Sequence, residues 1–162
     1  MPQLNGSCHC GAVRFSVQSS TPYPYMRCYC SICRKTDGGG GYAINLMGDA
    51  ATLEVTGADA LTVYQAMIDG EQSPARRHFC KNCGTALWLF DPRWPDLVHP
   101  FASAVDTPLP PTPETQHIML EAKPDWVEVA PADEQNIHFA GYPEQSIEDW
   151  HKSRGLWQDE AS

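Results

Sequence analysis

The chain has 162 residues, 42% of them hydrophobic, enough for one domain to bury a core without disulfides. Its 11 basic and 20 acidic residues give a formal charge of −9. That balance repels phosphate backbones and anionic bilayers, so neither nucleic acid nor membrane is an expected partner.

The chain opens Met1-Pro2-Gln3-Leu4-Asn5-Gly6, with no basic cluster and no apolar run, so no signal peptide is expected. No stretch reaches the ~20 apolar residues that span a bilayer. The expected location is the cytoplasm, where thiols stay reduced. Val13-Arg14-Phe15-Ser16-Val17 alternates with a period of two and predicts a half-buried strand. Leu53 to Thr56 repeats the pattern and stops at Gly57, and Leu61 to Tyr64 follows after a short turn. Ala86 to Phe90 is a continuous apolar run closed by Asp91-Pro92, which suits a strand buried on both faces. Val98 to Val105 is a further candidate, with Pro100 pointing to an edge. Residues 107–115 hold Pro108, Pro110, Pro111 and Pro113 and predict an extended surface connection. His117 to Glu121 is the last predicted strand. Ser146 starts a short helix with Glu148 and Asp149 in its first turn, Trp150 within it and Gly155 as its stop. Short strands at this spacing predict a mainly β, antiparallel domain over residues 1–130. Residues 131–162 form an extension, packed on the domain or trailing from it, that carries the helix.

The seven cysteines fall into three clusters: Cys8 and Cys10; Cys28, Cys30 and Cys33; Cys80 and Cys83. An odd count without an export signal argues against disulfides. No βαβ pattern surrounds Cys30 and Cys33, which argues against a thioredoxin-like pair. Cys80-Lys81-Asn82-Cys83-Gly84 has the form of a metal knuckle, its glycine suited to a left-handed turn. Cys8 and Cys10, if extended, point to one side and supply the second pair of a closed four-thiolate zinc site. Cys28, Cys30 and Cys33 remain, and three protein ligands with an open fourth position is the arrangement of a catalytic zinc. A fourth ligand from His78, His99, His117 or Asp37 would make this second site structural as well. The chain would then be a non-catalytic, zinc-stabilised binding module. Arg34, Lys35 and Arg77 either attract a carboxylate-bearing substrate or balance the negative metal centres. Gly38 to Gly41 form a turn or an anion site. Tyr29 either reaches an oxyanion or points away from the metal. Trp88, Trp94 and Phe101 are expected in the core or a pocket wall.

The stretches Gly6-Ser7-Cys8-His9-Cys10-Gly11-Ala12-Val13, Cys28-Tyr29-Cys30-Ser31-Ile32-Cys33-Arg34-Lys35 and Arg77-His78-Phe79-Cys80-Lys81-Asn82-Cys83-Gly84-Thr85-Ala86-Leu87 resemble the glutathione-dependent formaldehyde-activating enzymes and centromere protein V, which share one domain type. The resemblance covers roughly residues 5–130. It implies a β-tent of small antiparallel sheets. It implies a structural zinc on Cys8, Cys10, Cys80 and Cys83 and a catalytic zinc on Cys28, Cys30 and Cys33, hence two Zn2+ per chain. The implied reaction adds a small thiol such as glutathione to an aldehyde such as formaldehyde, a carbon–sulfur lyase reaction when written in reverse. Many members have histidine where this chain has Tyr29, and the stretches after the trio and around Ala102 to Asp106 also depart from the family pattern. Three thiolates leave less positive charge on a metal than three imidazoles do. That favours a soft sulfur ligand over a zinc-bound hydroxide.

Overall fold

The structure is a computed structural model and describes residues 2–157. In chain order its strands are β1 Gln3–Ser7, β2 Arg14–Gln18, β3 Tyr25–Cys28, β4 Ala43–Asn45, β5 Gly48–Asp49, β6 Glu54–Thr56, β7 Leu61–Tyr64, β8 Met67–Ile68, β9 Glu71–Gln72, β10 Arg76–Cys80, β11 Ala86–Phe90, β12 Leu97–Pro100, β13 Thr115–Ile118 and β14 Asn136–His138. The α-helices are α1 Ser31–Thr36 and α2 Ile147–Ser153. The strands form small sheets ordered β1-β2-β6, β5-β12-β11-β10-β7 and β14-β13-β3-β4, with β8-β9 as a separate hairpin. No helix among the described residues is long and apolar enough to cross a membrane.

The mainly β architecture of small sheets with a short C-terminal helix is as expected. One sheet is mixed rather than antiparallel: β13 runs parallel to both β3 and β14. Parallel pairing needs a long connection, which the chain between β3 and β13 supplies. That pairing has no local sequence signal, and β3 and β14 are absent from the expected strands for this reason.

Alternation along β2 turns Phe15 and Val17 inward, where Leu4, Val13, Leu46, Leu87, Trp88 and Val98 complete one core. A second core gathers Met26, Cys28, Cys33, Ala43, Ala86, Phe101 and Ile118. β11 serves both cores, which accounts for its unbroken apolar run. Trp88 stacks on His78 at 4.8 Å and meets the edge of Phe15 at 5.3 Å. β12 stops at Pro100, short of the expected Val105, and a single 3-10 turn, Ala102–Ala104, follows. Pro100 also does not mark an edge: β12 lies between β11 and β5, and two-residue β5 pairs only Leu97 and Val98. β13 ends at Ile118 because Met119 adopts a left-handed conformation (φ 59°). The Ser146 hydroxyl caps α2 by accepting from the Asp149 amide at 3.1 Å, and Gly155 ends it with φ 67°. Trp150 of α2 is buried and donates its indole N–H to Glu114 at 2.8 Å.

Gly57 joins β6 to β7 at φ 82°, and a Cβ there would lie 1.8 Å from the Ala12 carbonyl oxygen. Gly57→Ala therefore combines left-handed strain with a backbone clash. It is expected to cost about 2 kcal/mol or more, read as a lower urea midpoint at unchanged slope. A cost under about 0.5 kcal/mol would show that the two loops part freely.

Candidate metal centres

The first cysteine set lies between two tight turns. Cys8 and Cys10 lie on the β1–β2 connection, where the Cys8 amide donates to Val13 O at 3.0 Å and Gly11, at φ 81°, donates to Cys8 O at 3.1 Å. The two residues are therefore on a turn, not the extended strand expected. The chain must reverse between β1 and β2, and the reversal, not the pleat, brings the thiols together. Cys80 and Cys83 form the expected knuckle: Gly84, at φ 78°, donates to Cys80 O at 2.8 Å, and the Cys80 amide donates to Thr85 O at 3.0 Å. The His9 amide donates to the Thr85 hydroxyl at 3.1 Å and ties the two turns. All four sulfurs lie within 4.8 Å of one another. Cys8 is 3.6 Å from Cys10, and Cys10 is 3.7 Å from Cys80. A disulfide would require about 2.05 Å. A tetrahedron with ~2.3 Å metal–sulfur bonds has edges of ~3.8 Å, so the donors fit zinc. The Val13 amide donates to Cys8 Sγ at 3.2 Å. The Thr85 hydroxyl, with the Cys10 and Thr85 amides, holds the Cys83 thiol down to about 5.

The second set brackets a helix start. Cys28 ends β3, Cys30 is the N-cap of α1 and Cys33 sits in its first turns. Cys30 Sγ accepts from the Cys33 amide at 3.3 Å, so the helix end itself favours a thiolate there. The three sulfurs lie within 4.8 Å of one another. Hydrogen bonds from the Cys28 and Cys33 thiols lower Cys30 to about 2 against the opposing effect of burial. Donation to Cys30 and contact with Cys33 push Cys28 up. Three crowded thiols make a donor set that fits a soft divalent cation.

No histidine or carboxylate joins this trio among the described residues. His78 stacks on Trp88, and His99 donates from Nδ1 to Leu46 O at 3.0 Å. Asp37 accepts from the Ser103 hydroxyl at 3.1 Å. His117 belongs to a buried polar chain. Arg77 is buried, with Nη1 and Nη2 each 3.5 Å from Cys33 Sγ. This contact is the one that the charge-balance role requires. Lys35 is exposed and Arg34 half-buried. Gly38 to Gly41 close a turn, with Gly41 donating to Gly38 O at 2.9 Å.

Tyr29 is fully buried with its hydroxyl 2.8 Å from His117 Nδ1. His117 Nε2 is 2.9 Å from Asn136 Oδ1, an acceptor, so Nε2 carries the proton and Nδ1 accepts from Tyr29. Asn136 Nδ2 then donates to Asp133 at 3.1 Å. Tyr29 thus points away from the sulfurs and anchors the loop between Cys28 and Cys30. Burial lowers the pKa of His117, which keeps it neutral for this role. Tyr29→Phe leaves Nδ1 buried without its donor and is expected to cost about 1–3 kcal/mol in urea unfolding. A neutral result would show that the bond contributes nothing.

Several neighbours of the trio carried no sequence signal. Phe139 and Ile147, far along the chain, pack against the cluster that contains Cys28 and Cys33. Tyr142 is 76% exposed as a residue; burial of its hydroxyl, then the charges of Cys28, Cys30 and Cys33, raises its pKa. Trp88 and Phe101 are in the core as expected, but Trp94 is 50% exposed and lies under Arg93 at 5.2 Å rather than in a wall.

A family model described as glutathione-dependent formaldehyde-activating enzyme matches residues 3–121. A Halomonas elongata protein with a provisional designation of the same wording is 66% identical over 153 residues, covering 94% of this chain and 97% of its own length. A crystal structure of a Rhodobacter sphaeroides protein is similar with a TM-score of 0.53 at 30% identity, covering 65% of this chain and 91% of that one. The matched segment contains both cysteine sets. The chain belongs to the glutathione-dependent formaldehyde-activating enzyme family.

Proposed function

We propose that the chain is a zinc enzyme that adds a glutathione-like thiol to formaldehyde or a similar small aldehyde, and that acts as a carbon–sulfur lyase in reverse. The observation that carries the reading is the trio of Cys28, Cys30 and Cys33, three converging thiols with no fourth protein ligand among the described residues. These residues would hold a catalytic zinc, and Cys8, Cys10, Cys80 and Cys83 a structural one. Zinc at the trio would supply a borderline-soft Lewis acid able to take sulfur and polarise a carbonyl.

In the addition, the substrate S–H bond breaks and a C–S bond forms at the aldehyde carbon. The carbonyl oxygen takes up a proton, and nothing is oxidised or reduced. Arg77 holds a positive charge against Cys33 and offsets the excess charge of three thiolates. Tyr29 and His117 fix the loop that aims Cys28 and Cys30. Phe139 and Ile147 pack against the apolar cluster that holds Cys28 and Cys33.

The test is exchange NMR of glutathione and formaldehyde with and without the protein. Interconversion with the S-hydroxymethyl adduct is expected to rise at least tenfold above background at micromolar protein, roughly the least that an enzyme of ordinary efficiency delivers. No rise at protein concentrations equal to the substrate would contradict the reading.

A further inference from the structure

A cavity of about 240 Å³ is lined by Asp37, Gly39, Gly40, Tyr42, Ile44 and Ser103. Its position follows from α1. The Asp37 amide donates to Cys33 O at 3.0 Å, a helical bond that stacks Asp37 one turn beyond Cys33. Asp37, in the cavity wall, therefore lies one helical turn, about 5.4 Å of rise, from Cys33, a span that a peptide-sized thiol covers.

The wall of this cavity carries an under-satisfied negative group. The Asp37 carboxylate accepts from Ser103 Oγ at 3.1 and 3.3 Å, and one hydroxyl proton serves only one oxygen at a time. Among the described residues Asp37 makes no ion pair. Arg77 is near enough to attract it, yet turns both terminal nitrogens to Cys33. Burial raises the Asp37 carboxyl to about 6 against Ser103 and Arg77, as expected of a carboxylate short of partners.

We propose that this cavity receives the ammonium group of the thiol substrate, with Asp37 as counter-charge and Ser103 as second acceptor. The proposal rests on the thiol–aldehyde reading above. A substrate carboxylate is disfavoured here because Asp37 would repel it. A hard divalent ion is disfavoured because one carboxylate and one hydroxyl fall short of the six to eight oxygens it takes. Arg27 already lies 4.6 Å over the Tyr42 ring, so the carboxylate rather than the ring is left to meet the new cation. An α-amino group on a peptide-sized thiol has the required charge and three donors.

The experiment compares kcat/KM for glutathione with that for glutathione acetylated on its α-amino nitrogen, in the wild-type zinc protein and in Asp37→Asn. The wild type is expected to prefer the free amine by about tenfold or more, a preference that falls at least about fivefold in Asp37→Asn and by less in Ser103→Ala. The ratio cancels any loss of folded protein, so partial misfolding does not blur the outcome. Equal use of both thiols by the wild type, or a ratio unmoved by Asp37→Asn, overturns the cavity assignment and leaves the thiol–aldehyde reading standing. Absence of any rate with either thiol overturns that reading and the cavity assignment with it.

Discussion

Cys30→Ser is expected to lower thiol–aldehyde exchange by on the order of 10³ while leaving the protein folded and short of one zinc. The substitution separates chemistry from architecture unusually well. Cys30 is the N-cap of α1 and accepts from the Cys33 amide. Serine is among the best N-cap residues, so the helix start survives the exchange. β3 also keeps its pairings with β4 and β13, none of which involves Cys30. What is lost is one of three sulfur donors, the one most readily ionised. Two thiols and a nearby guanidinium are a poor site for a divalent cation. Full activity in this variant, measured by the same exchange NMR, would remove the trio from the reaction.

Cys80→Ser is expected to abolish folding at 25 °C, read as loss of the cooperative thermal transition and of the native far-UV signal. Cys80 is buried at the end of β10 and lies 3.7 Å from the sulfur of Cys10, a residue 70 positions earlier. A metal held there would tie the first hairpin to the central five-stranded sheet. Structural zinc contributes about 10–16 kcal/mol of apparent binding free energy in small domains. A domain of this size has only about 5–15 kcal/mol of net stability. Losing a buried ligand therefore removes an amount comparable with the whole. A variant that melts cooperatively within a few degrees of wild type would show that this set does not hold the fold.

The grouping of the cysteines was legible because thiols are few and their spacing is short. Cys80-Lys81-Asn82-Cys83-Gly84 encodes its own turn, and the structure has that turn with Gly84 in the left-handed region. The period-two pattern of Val13 to Val17, the apolar run of β11 and the Ser146 cap were equally local. The parallel pairing of β3 with β13 was not legible, since nothing in Tyr25 to Cys28 names a partner some 90 residues away. Helix α1 is six residues long, three of its neighbours or members are cysteines, and metal spacing masked its helical pattern. Asp37 was visible as an acid near the trio. Its partner Ser103 lies 66 positions on, so only the fold shows that Asp37 lines a cavity wall. Tyr29 showed its place between two ligands, but only the structure gave the direction of its hydroxyl, toward His117.

The proposed division of seven thiols, four closing a site and three leaving a position open, is tested most directly by stepwise metal removal. Zinc release to a chelator of graded strength would be followed together with exchange activity and far-UV circular dichroism. The expected course has two steps: one zinc leaves with the activity while the fold persists, and the second leaves only as the fold is lost. Release of both ions in one step, or loss of the first ion without loss of activity, would contradict the division.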